Sequence, residues 1–108
     1  MGLFSFFKKN KEEEVKVPTV KLIKFEQLLS ADDSILTKLA TEMINGSPLV
    51  INFESLDIDN ANKAIAFLSG VVYACDGEIV NIKEKVYLFG NSEVYDDGTI
   101  KQFLDDLI

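Results

Sequence analysis

The run LVINF (residues 49–53) is apolar at four of five positions, and Val50 and Ile51 are β-branched. A half-exposed strand alternates in polarity and an amphipathic helix repeats every 3.6 residues. A stretch this short and this uniformly apolar reads as a strand buried on both faces. Such a strand needs a neighbour on each edge and cover on each face, so the chain must fold as a layered structure around it.

The flanking segments supply the layers. TVKLIKF (19–25) sets Val20, Leu22 and Lys24 on one side and Ile23 and Phe25 on the other, the period of a strand. Residues 32–45 (DDSILTKLATEMIN) predict a helix: Asp32, Asp33 and Ser34 suit its start, and Ile35, Leu36, Leu39, Met43 and Ile44 recur at helical spacing. Asn45-Gly46 ends it, and Pro48 prevents continuation. A second helix starts at a cap supplied by Asp57 or Asp59, buries Ala61, Ala64, Ile65 and Leu68, and is expected to stop at Gly70. VVYAC (71–75), Asp76-Gly77 and EIVNI (78–82) read as a hairpin, because Asp-Gly between apolar runs favours a tight turn. A turn at Lys83 and Glu84 leads to a last strand, KVYLF (85–89); residues 90–98 form a loop or edge segment. TIKQFLDDLI (99–108) reads as a terminal helix with Ile100, Phe103, Leu104 and Leu107 on one face and Asp97 or Thr99 at its cap. The expected fold is α+β, a two-layer α/β sandwich of order β-α-β-α-β-β-β with a C-terminal helix. Right-handed crossovers put the first two helices on one sheet face. The opposite face is left bare and is expected to pair with a second copy about a two-fold axis.

The start of the chain is different in kind. MGLFSFFKKNK carries Leu3, Phe4, Phe6 and Phe7, then Lys8, Lys9 and Lys11, with no acid. On a helical wheel the four apolar residues share an arc of about 160°, opposite Gly2, Ser5, Lys8 and Lys9. Ten helical residues span only about 15 Å, too short to cross a bilayer. They suit an interfacial anchor with phenylalanines among lipid chains and lysines at anionic headgroups. The lipidation pattern that needs Ser or Thr at position 6 is broken by Phe6. Residues 1–11 are therefore assigned to membrane targeting, 12–18 (EEEVKVP) to a short acidic linker, and 19–108 to the globular body.

Charge and composition narrow the function. The net charge is −7, but residues 1–11 are +3 and residues 12–108 are −10. So acidic a body is a poor nucleic-acid binder. There is no histidine and the single thiol, Cys75, falls within a run read as a strand, so zinc, disulfide and thiol chemistry are not expected. With one cysteine and no export signal, a cytoplasmic protein is expected. Asp57-Ile58-Asp59-Asn60-Ala61-Asn62 begins like a calcium loop but lacks its glycine and its fifth ligand, and helix capping accounts for it. Single glycines make no phosphate cradle. No enzyme and no cofactor are indicated.

The stretch FLSGVVYACDGEIVNIKEKVYLF (67–89), with PLVINFESLDIDNANKAIAFLSG upstream, resembles the core of the SepF cell-division proteins, over roughly residues 19–90. The resemblance implies a non-enzymatic adaptor: the amphipathic start inserts in the cytoplasmic membrane, the body forms a homodimer and higher assemblies, and it holds the carboxy-terminal peptide of the tubulin-like protein FtsZ. Gly70 matches a family glycine at a subunit contact, although a helix C-cap would also explain it. Tyr87 matches an apolar or aromatic position near the peptide pocket and Asn81 a polar neighbour; ordinary sheet packing would also explain Tyr87. The linker is short for the family and the body is strongly acidic. The alternative is a small soluble α/β ligand-binding or regulatory domain whose phenylalanines merely cover the body.

Overall fold

A computed structural model of the chain describes residues 17–107. The segment containing Leu3, Phe4, Phe6, Phe7, Lys8 and Lys9 and most of the linker lie outside the described residues.

LVINF is the inner strand its composition demands. Strand β2 (Leu49–Asn52) buries Leu49, Val50 and Ile51. It pairs in parallel with β1 (Lys24–Gln27), and antiparallel with β4 (Val86–Gly90), which also pairs antiparallel with β3 (Glu78–Lys83). The order is β1-β2-β4-β3, so β4 lies between two strands that run parallel to each other. The fold is α+β, a split β-α-β arrangement on an open mixed sheet.

Helix α1 (Asp33–Ile44) follows its pattern closely, with Leu36, Leu39, Ala40 and Met43 buried. Ile35 and Ile44, expected in that stripe, sit on its flanks and are exposed. The helix ends as Asn45-Gly46 requires. Gly46 has φ +102°, its N–H donates to the Met43 carbonyl at 3.1 Å, and the Ser47 N–H donates to the Glu42 carbonyl at 3.0 Å. This is a Schellman closure.

Four expectations are corrected. The strand read over 19–25 is a 3-10 turn (Thr19–Leu22) followed by β1, because Pro18 and the tethering of Thr19 to Asp97 hold the chain off the sheet edge until Lys24. The second helix does not stop at Gly70. Helix α2 spans Ile58–Ala74, capped by Asp57, whose carboxylate accepts from the Asn60 N–H at 2.8 Å. An interior glycine costs about 1 kcal/mol, less than the roughly 1.5–3 kcal/mol gained by burying a valine side chain. Val72 continues the buried stripe of Ala64 and Leu68. VVYAC is thus helical, and the order is β-α-β-α-β-β with a C-terminal helix, one strand fewer than expected. Asp76-Gly77 is not a hairpin but a second Schellman closure: Asp76 takes φ +53°, its N–H donates to the Tyr73 carbonyl, and the Gly77 N–H donates to the Val72 carbonyl at 2.9 Å.

The fourth correction concerns the sheet face expected to be bare. Helices α1 and α2 do share one face, over Leu49, Ile51, Phe53 and Phe89. On the other face, Val50, Val86 and Leu88 meet Ile100, Phe103 and Leu104 of helix α3 (Thr99–Asp106), together with Val20 and Ile23. The chain covers much of that face itself.

Candidate functional site

Helix α2 presents two apolar sides, and only one of them is buried among the described residues. Its buried side packs on the sheet. Opposite it, Ala66, Phe67, Gly70, Tyr73 and Ala74 fall on one stripe at helical spacing, and all are exposed. Tyr73 is 86% exposed and Phe67 41%. The first turns of the same stripe are polar (Asp59, Asn62 and Lys63), so the apolar patch occupies the second half of the helix. Gly70 is its centre. A Cβ built there meets no atom within 4 Å, so the fold itself leaves room for a side chain. A contiguous apolar patch on a small acidic domain is the mark of an interaction surface, and a glycine in its middle lets another backbone approach closely.

Asn81 and Tyr87 are brought together: they are register partners on β3 and β4. Tyr87 is half-buried on the side of the sheet covered by α1 and α2, edge-on to Phe53 (centroids 5.9 Å apart) and tilted against Phe89 (6.3 Å). The Asn81 amide donates to the Lys83 carbonyl at 3.1 Å and the Val86 carbonyl at 3.4 Å, so it supports the irregular hairpin end at which Lys85 takes φ +63°. Asn81 thereby fixes the strand that carries Tyr87.

Another polar cluster escaped the sequence reading. The Asp97 carboxylate accepts from the Thr19 N–H (2.9 Å) and hydroxyl (2.8 Å) and from the Thr99 N–H (3.0 Å) and hydroxyl (2.8 Å). These donors, the two backbone groups foremost, hold its pKa well below the usual carboxylate range. The Val20 N–H donates to the Thr99 hydroxyl at 3.0 Å. The clasp therefore ties the point where the body begins to the start of α3. Nearby, burial, with a smaller effect from the Glu78 carboxylate, pushes the Tyr95 phenol up to about 12. It stays neutral and donates to the Glu78 carbonyl at 3.0 Å. No signal short of the 78-residue separation of Thr19 and Asp97 in the folded chain would have revealed the clasp. The α2 patch, by contrast, was visible in FLSGVVYA once the helix is continued through Gly70.

Among the described residues no cluster of three or more His, Cys, Asp or Glu side chains could hold a metal, and no helix is long and apolar enough to cross a membrane.

The family model described as cell division protein SepF matches residues 23–95. The chain belongs to the SepF family. Those residues take in the four-stranded sheet, α1, α2 and the turn of Ser92–Tyr95. Curated SepF proteins are similar over most of the chain. That of Lactobacillus delbrueckii subsp. bulgaricus is 31% identical over 85 residues, covering 79% of this chain and 55% of the relative. That of Lacticaseibacillus casei is 26% identical over 102 residues, 92% of this chain and 66% of the relative. That of Carboxydothermus hydrogenoformans is 28% identical over 97 residues, 90% of this chain and 71% of the relative. The chain thus spans between about half and two thirds of the length of the first two. These relatives are named as cell-division proteins, not as enzymes.

Proposed function

We propose that the chain is a self-assembling adaptor that tethers FtsZ, through its carboxy-terminal peptide, to the inner face of the cytoplasmic membrane at the division site. In this reading Leu3, Phe4, Phe6 and Phe7 enter the lipid and Lys8 and Lys9 meet anionic headgroups. The α2 face around Gly70 joins copies into a homodimer and higher assemblies, and the region of Asn81 and Tyr87 receives the FtsZ peptide. The observation that carries the reading is the exposed apolar face of α2 within a SepF domain. Self-association matters energetically because one short anchor binds a membrane weakly, whereas several anchors on one assembly bind by effective concentration.

Gly70→Lys tests the assembly step. The open space around Gly70 accepts the new side chain within one subunit, so the far-ultraviolet spectrum should be unchanged while sedimentation velocity shows a shift toward the monomer. Identical sedimentation profiles for variant and wild type would refute the α2 contact.

A further inference from the structure

The face closed by α3 is not closed along its whole length. Beside the end of α3, a groove of about 450 Å³ opens between the helix and the sheet, walled by Phe25, Val50, Ile82, Val86, Phe103 and Leu107. Phe25 is 65% exposed and Leu107 53%, although both are large apolar residues. Glu26 and Lys83 stand among the lining residues, and Asp105 and Asp106 belong to the last turn of α3. The volume is that of a cleft for a small ligand or a few side chains. Ten residues line the groove, well short of the roughly 20–30 a side that a stable pairing of two subunits engages.

The same chain contains a short piece that fits. Residues 3–7 (LFSFF) carry one leucine and three phenylalanines, followed by Lys8, Lys9 and Lys11. The clasp on Asp97 fixes Thr19 at the start of α3, and Val20 and Ile23 pack on the same sheet face as the groove. From there to the far end of α3 is about 12 Å. Residues 8–18 reach up to about 36 Å. The tether therefore spans the gap with slack, at an effective concentration in the millimolar range. Charge favours the encounter, since residues 1–11 are +3 and the remainder is −10.

We propose that the LFSFF segment docks into the groove of its own subunit when no membrane is present. The phenylalanines that enter lipid are the ones that fill the groove, so the two states exclude each other. Lipid binding then empties the groove, and docking lowers membrane affinity by the fraction of time the segment is held. The amphipathic character of the segment is shared with the anchor reading, but the groove assignment does not depend on FtsZ or on assembly.

The test uses methyl-labelled full-length protein in lipid-free buffer. In the wild type, nuclear Overhauser contacts should link the rings of Phe4 and Phe7, assigned apart from those of Phe25 and Phe103 in the groove wall, to the methyls of Val86 and Leu107. In the full-length chain carrying both Phe4→Glu and Phe7→Glu these contacts should vanish and the same methyls should shift. Vesicles containing an anionic phospholipid, added to the wild type, should reproduce those shifts. Superimposable spectra at these methyls would overturn the proposal. So would shifts confined to the α2 face, which would place the segment there, and so would contacts that fade on dilution, which would assign the groove to a second copy. Wild-type protein that fails to bind the vesicles but shows the groove contacts would remove the anchor reading and leave this one standing.

Discussion

At the scale of single residues, two glycines have opposite duties. Gly70 is interior to α2 and has open space around it. Replacing it with alanine relieves the helix of its poorest former, and the fold gains about 0.5–1 kcal/mol. Its cost to the fold therefore points to a use outside the subunit. Gly77 is the reverse case. It closes α2, and a Cβ there would collide with the carbonyl oxygen of Gly90 and the Cα of Asn91, both backbone atoms that no rotamer change can move. Gly77→Ala should lower the unfolding free energy by about 2–4 kcal/mol, measured by urea denaturation. A midpoint equal to that of the wild type would show that the β3–β4 end yields more easily than its packing implies. Asn91 holds the other side of this junction, donating to the Met43 and Ile44 carbonyls at 3.3 and 3.4 Å and so satisfying the end of α1.

At the scale of elements, the Asp97 clasp joins the entry of the chain into the body to α3. Its carboxylate has a lower pKa folded than unfolded. The stabilisation is therefore present in full above the unfolded value near pH 4 and is lost as pH falls from there through the folded value. Thermal melts of wild type and Asp97→Asn should differ at pH 7, with the variant less stable, and the gap should narrow progressively in acid. A gap of constant size across that range would mean that the ionised carboxylate is not what holds the clasp. Much at this scale was legible in the sequence. LVINF could only be an inner strand, and α1 carried its stripe, its acidic start and its Asn-Gly stop in fifteen residues. What was not legible had physical causes. Asp-Gly serves a hairpin turn and a Schellman closure equally, because both place a left-handed residue at the turn. VVYAC suits a strand by composition and a helix by its place in the Ala64–Leu68–Val72 stripe; long-range burial decided between them. The placement of α3 depended on which sheet face remained free, and no local pattern records that. Gly70 could be singled out as a residue, yet the apolar face around it was hidden as long as the helix was ended there.

At the scale of the whole molecule, the chain divides its chemistry by sign and by polarity. The first eleven residues are cationic and rich in phenylalanine, and the rest is acidic. An anionic membrane repels such a body within about a Debye length, roughly 10 Å; under the proposed function, attachment would therefore fall to the amino-terminal residues and be strengthened by joining copies through α2. Under the proposed function, one chain links FtsZ to lipid. The most direct measurement is co-sedimentation of FtsZ with vesicles containing anionic phospholipid, with and without the full-length chain. FtsZ is expected to pellet with the vesicles only when the chain is present, and Phe4→Glu to return both proteins to the supernatant. FtsZ that stays in the supernatant while the wild-type chain pellets would contradict it.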